Sequence, residues 1–120
     1  MTQTTAQSTA QPASVETTCL ELGFKALSDP IRLKIIALLQ YQELCVCDLC
    51  DRLELRQSKL SFHLKVLKDT QLLRSRQEGR WVYYRLNLPQ FAVLEQYLSE
   101  LRRLSPMLPP RLCGEDEDCG

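Results

Sequence analysis

The chain has 120 residues, 44% hydrophobic and 25% charged, the composition of one globular domain with a modest core. No apolar run is long enough to span a bilayer and the polar N-terminus has no signal-peptide stretch, so the expected location is cytoplasmic and no membrane partner is expected. Fifteen Lys and Arg balance fifteen Asp and Glu, but from Arg52 to Arg85 nine basic residues stand against three acidic ones. Such a stretch is either a solvated face or a phosphate contact, and the fold it sits on decides between them.

Residues 1–14 are mostly Thr, Gln, Ser and Ala and read as a disordered arm. Residues 15–105 read as one folded domain, and residues 106–120 as a flexible tail that carries Cys113, Cys119 and the run Glu115-Asp116-Glu117-Asp118. A first helix begins near Val15, with Leu20, Phe24 and Leu27 at helical spacing. Asp29 is a suitable N-cap and Pro30 a suitable first residue for a second helix reaching about Gln40. That helix is apolar around most of its girth, which predicts the central core helix.

A third helix is predicted over Val46–Leu53, then a turn at Leu55-Arg56. A fourth opens at Gln57 or Ser58 and reaches Asp69 or Thr70. Leu60, Leu64 and Leu67 form its buried stripe, and steps of 100° put Ser58, Ser61, Phe62 and Lys65 on the outward side. His63 falls between the two faces and reads either as a DNA contact or as an edge-of-core histidine. Phe62 either meets a thymine methyl or packs on the preceding helix.

Leu73 to Gln77 and Trp81 to Leu86 then form a hairpin around Glu78-Gly79, with Arg74, Arg76 and Arg80 at or near its tip. Pro89 starts a last helix carrying Phe91, Leu94, Leu98 and Leu101, and Ser105-Pro106 ends it. The predicted fold class is α+β and mostly helical: a winged helix-turn-helix of order ααααββα, whose fourth helix enters the major groove and whose hairpin lies over backbone or minor groove. Candidate DNA contacts are Gln57, Ser58, Lys59, Ser61, Phe62, His63, Lys65 and Arg80. The opposing reading is a small α+β domain whose basic face is merely solvated.

Three of the six cysteines, Cys45, Cys47 and Cys50, fall within six residues just before the groove-reading unit. Clustered thiolates select soft ions over hard ones. Cys47 and Cys50 share a helix face, whereas Cys45 and Cys47 stand roughly 200° apart on a regular helix. The three sulfurs therefore converge only if the helix begins after Cys45 or its first turn unwinds. Three ligands suit a three-coordinate ion such as As(III) or Sb(III) better than zinc, whose structural sites have four. Two further readings stand: a Cys47–Cys50 disulfide switch, and plain buried apolar cysteines. Cys19, Cys113 and Cys119 carry no assigned role, although the tail pair suits a weak second site. His63 is the only histidine and no paired-carboxylate or nucleophile constellation accompanies it, so no enzyme is expected.

Four blocks carry a resemblance: Leu27-Ser28-Asp29-Pro30-Ile31-Arg32-Leu33, Glu43-Leu44-Cys45-Val46-Cys47-Asp48-Leu49-Cys50, Gln57-Ser58-Lys59-Leu60-Ser61-Phe62-His63-Leu64 and Gly79-Arg80-Trp81-Val82-Tyr83-Tyr84-Arg85-Leu86. From about Leu20 to Leu101 the chain resembles the ArsR/SmtB family of bacterial metal-responsive repressors, and by its cysteine block the arsenical-resistance branch. The resemblance implies a homodimer on an imperfect palindrome of double-stranded operator DNA. It would be joined through the first and last helices (Leu20, Phe24, Phe91, Leu94, Leu98 and Leu101) and released when As(III) or Sb(III) is held by Cys45, Cys47 and Cys50. It implies no organic cofactor. Phe62 departs from the family pattern, where a basic or polar residue is common. The absence of His and Cys from Phe91 to Leu104 sets the chain apart from the zinc-sensing relatives. A thiol-redox repressor and a cysteine-based metal-buffering protein are the alternatives.

Overall fold

A computed structural model describes residues 17–111. The expected N-terminal arm, the start of the first helix and the tail with Cys113 and Cys119 lie outside the described residues. Helix α1 is described over residues 17–26. It is followed by α2 (Pro30–Leu39), a two-residue strand β1 (Leu44–Cys45), α3 (Val46–Leu53), α4 (Gln57–Asp69), β2 (Leu73–Glu78), β3 (Trp81–Leu86) and α5 (Leu88–Leu104). A 3-10 turn over Ser105–Met107 follows the last helix, at the expected stop. The order is that of a winged helix-turn-helix, with one strand more than the sequence shows.

Local chemistry sets these boundaries. Asp29 caps α2 by accepting hydrogen bonds from the Ile31 and Arg32 amides at 2.8 and 3.1 Å, ahead of Pro30. Helix α3 ends at Glu54, whose backbone is left-handed (φ 55°). The wing hairpin closes through Gly79-Arg80, since Glu78 pairs with Trp81. The loop is thus one residue later than the predicted Glu78-Gly79. Gly79 takes φ +62°, so glycine must lead this two-residue turn, and that fixes the register.

The core gathers around α4. Leu60, Leu64 and Leu67 are buried there with Ile35 and Leu39 of α2, Leu49 of α3, and Leu72 and Leu73. Helix α2 was expected to be the central one and is not. Only its Ile35 and Leu39 are buried, and Leu33 is 49% exposed. It packs on α3, α4 and β3, with Ile31, Ile36 and Leu38 partly buried, so its apolar girth is covered only in part. Helix α1 meets α5 closely: a Cβ at Gly23 would stand 3.1 Å from a Leu94 methyl.

Strand β1 is the element that the sequence does not reveal. It pairs antiparallel with β3, Leu44 opposite Tyr84 and Cys45 opposite Tyr83, giving the sheet order β1-β3-β2. The segment that begins the cysteine block is therefore an edge strand of the wing's own sheet.

Candidate DNA interface and thiol site

Helix α4 presents Gln57, Ser58, Lys59, Ser61, Phe62 and Lys65 to solvent. Phe62 is 60% exposed, so the outward phase is correct and it does not pack against the preceding helix. Lys65 is held by Asp69 at 2.9 Å in an exposed i,i+4 pair, an interaction weak enough to exchange for a phosphate. Arg56 precedes the helix without a side-chain cap, which leaves first-turn amides open to an anion.

His63 is only 5% exposed and points away from this face. Arg32 Nη1 donates to its Nδ1 at 3.1 Å, and Arg32 Nε donates to the Ala26 carbonyl oxygen at 2.7 Å. The Asp29 carboxylate lies 4.0 Å from the same Nδ1. An arginine can only donate, so Nδ1 accepts and the ring is neutral. Burial pushes the His63 pKa down, Asp29 opposes it, and Arg32 and Lys59 push it further down. Of its two sequence readings, the inward one describes the geometry: His63 ties α4 to the start of α2 and the end of α1. Arg32, which the sequence did not single out, makes that tie.

The hairpin's charges divide sharply. Arg76 Nε and Nη2 both reach Glu43 Oε1 at 2.9 Å and its Nη1 reaches Glu78 at 2.6 Å, while Arg85 stands 3.5 Å from Glu43. The Arg76 hydrogen bond holds the Glu43 carboxyl below the usual carboxylate range against burial, with Arg85 assisting. Arg76 also lies 4.7 Å over the Tyr83 ring. Two of the wing's arginines are thus spent on glutamates. Arg74 sits at the far end of the hairpin, opposite Arg85, which leaves Arg80 at the tip. Glu43 opens the cysteine block, and its partners lie 33 and 42 positions away, beyond the reach of any local pattern.

Cys45 is extended (φ −84°, ψ 168°) and precedes α3, which starts at Val46. This is the arrangement that convergence of the three sulfurs needs. Cys45 is buried, Cys47 exposed and Cys50 half-buried. The Cys45 thiol donates to Asp48 Oδ2 at 3.4 Å. Burial raises the Cys50 pKa, with Cys47 and Asp51 adding to it. Cys47 and Cys50 line a cavity of about 350 Å³ whose other side is Gln57, Arg80, Trp81 and Val82. Among the described residues no three His, Cys, Asp or Glu side chains are grouped to hold a metal ion. Cys19 is exposed and lines a separate groove between α1 and α5.

Of the predicted interface residues, Leu98 and Leu101 are exposed on α5, beside Val93, Tyr97 and Leu104. Leu20, Phe24 and Phe91 pack partly on the core, and Leu94 is buried within the chain. No described helix is long and apolar enough to cross a membrane.

A tight pair of helices followed by an Arg-tipped hairpin defines the winged helix-turn-helix class. The model of the bacterial regulatory protein, arsR family, matches residues 29–75, from the α2 cap into β2. The arsenical resistance operon repressor of Escherichia coli (strain K12) is 51% identical over 65 residues, 53% of this chain and 56% of that protein. The arsenical resistance operon repressor of Staphylococcus aureus is 40% identical over 77 residues, 64% of this chain and 71% of that protein. The solved structure of reduced HlyU from Vibrio cholerae N16961 aligns with a TM-score of 0.57 at 35% identity, over 81% of this chain and 96% of that one. The chain belongs to the ArsR family. Its aligned stretch spans little more than half of the E. coli repressor's length.

Proposed function

We propose that this protein is a transcriptional repressor of arsenic resistance genes that binds a palindromic operator as a homodimer and is released by As(III) or Sb(III). The observation that carries the reading is the placement of Cys45, Cys47 and Cys50 around the first turn of α3, with the helix starting after Cys45. The relatives from E. coli and S. aureus, both arsenical resistance operon repressors, support the same ligand class. The apolar face of Val93, Tyr97, Leu98, Leu101 and Leu104 on α5 supports a second copy as partner.

Binding is a ligand exchange without electron transfer. As(OH)3 and three thiols form three As–S bonds, break three As–O bonds, and release three waters that carry away the thiol protons. Thiolates are the soft donors that such a centre prefers over oxygen. Cys45 ends β1 while Cys47 and Cys50 stand in α3, so ligation by all three acts on the junction between strand and helix. On DNA, Gln57, Ser58, Lys59, Ser61, Phe62 and Lys65 face the groove, and Arg80 meets backbone. His63 supports the helix from behind.

A second reading rests on the cavity that Cys47 and Cys50 share. Peroxide would take two electrons and two protons from the pair, giving a disulfide and two waters, and the HlyU relative was solved in a reduced form. One titration decides. Reduced protein on a labelled promoter fragment is challenged with arsenite, antimonite, zinc, cadmium or peroxide while anisotropy is followed. Release by arsenite and antimonite supports the proposal, and release by peroxide alone replaces it with the redox switch. No DNA binding even at low salt, where phosphate contacts are strongest, supports a metal-buffering protein instead.

A further inference from the structure

The cavity beside the thiols is walled by the wing. Cys47 and Cys50 stand on its α3 side, and Arg80, Trp81 and Val82 on the other. The third thiol reaches the same hairpin by another route. Cys45 is paired through its backbone with Tyr83 of β3, two residues beyond Trp81. Glu43, two residues before Cys45, grips Arg76 of β2 and Arg85 of β3. Helix α3 packs on β3 as well as on α4. The thiol segment is therefore fastened to the wing by a strand ladder and an ion-pair cluster, and faces it across an open space.

We propose that the wing is part of the ligand site, with Trp81 contacting the group bound at Cys47 and Cys50 and the neighbouring Arg80 being drawn off DNA when the cavity fills. The inference rests on the thiol-triggered reading above and adds the route by which the trigger reaches DNA. Two consequences of the geometry drive it. A bound ion brings new atoms into a space bounded by Trp81 and Arg80. Ligation of Cys45 together with Cys47 and Cys50 also loads the strand that pairs with β3, so the ladder carries the change to the hairpin. Arg80 serves both surfaces: it lines the cavity and it is the basic residue at the hairpin tip. Occupation of the cavity and engagement of backbone by Arg80 then compete, which is the differential contact that a shift between two states requires.

Trp81 is the only tryptophan, so its emission reports on the cavity directly. Reduced full-length protein without DNA is titrated with arsenite. The emission is expected to change over the arsenite range that releases DNA, and to stay constant in Cys47→Ser. Trp81→Phe and Trp81→Ala are then each compared with themselves, with and without arsenite. In both, arsenite should still protect the thiols from a thiol-reactive dye. The arsenite-induced loss of DNA affinity should shrink by about tenfold in Trp81→Ala, and by less in Trp81→Phe. Constant Trp81 emission while arsenite releases the wild type from DNA overturns the inference alone, as does a Trp81→Ala variant released as fully as the wild type. Arsenite that leaves the wild type on DNA overturns the thiol trigger, and this route falls with it.

Discussion

Helices α3 and α4 are consecutive, yet the fold holds them differently. Helix α3 has eight residues, buries Leu49 alone, follows a cysteine that makes no side-chain cap and is closed by a left-handed glutamate. Helix α4 has thirteen residues and buries Leu60, His63, Leu64 and Leu67, with His63 tied through Arg32 to two other helices. Local opening is cheap where few apolar contacts are lost, and costly where many are. The thiols thus stand on the less anchored helix, and the residues proposed to face the groove on the more anchored one. On the proposed reading, a ligand at α3 alters the thiol segment and the wing and leaves α4 intact.

The comparison breaks first in the core. Leu67→Ala, at a fully buried site in α4, should cost about 3 kcal/mol of stability. Leu53→Ala, at a half-buried site in α3, should cost about 1 kcal/mol in the same urea unfolding measurement. Equal losses would remove the distinction between the helices. Next in size, Arg80→Ala should weaken DNA binding similarly across sequences and reduce the salt slope of log K by about one. Arg76→Ala should change that slope less, because Arg76 is already spent on Glu43 and Glu78.

A smaller effect tests the anchor behind α4. His63 has a lowered pKa, with burial the largest cause, so the folded state favours the neutral ring. The stability this supports is complete above the ordinary value of 6.5 and is lost as pH falls through the lowered folded value. Unfolding free energy measured against pH should therefore decline below about pH 6.5 in the wild type and decline less in His63→Gln. Smallest of all, Glu54→Gly should raise stability by about 0.5 kcal/mol, since it relieves a left-handed glutamate.

Much of this arrangement was legible in the sequence. The bounds of α3 and the start of α4 follow from the turn at Leu55-Arg56, and α4 buries the stripe of Leu60, Leu64 and Leu67 that sequence order records. What was lost depends on contacts far apart in the chain. The direction of His63 is set by Arg32, 31 positions earlier, and at 100° steps it lies on the border between faces. Strand β1 has two residues, too few for any alternation to show, and exists because β3 offers it a ladder. Helix α2 looks central because it is apolar all round, but Leu33 is left exposed and only Ile35 and Leu39 are fully covered. The thiol site was visible as a spacing. Its wall of Arg80 and Trp81 was not, because the hairpin's side chains meet α3 only in three dimensions.

Hydrogen exchange with and without arsenite tests the central claim, that the thiol helix yields while the reading helix stays. The account predicts faster exchange at the first turn of α3 and along the β1–β3 pairing once arsenite is bound, with the amides from Leu60 to Leu67 unchanged. Loss of protection in α4, with α3 and β1 unaffected, would contradict it.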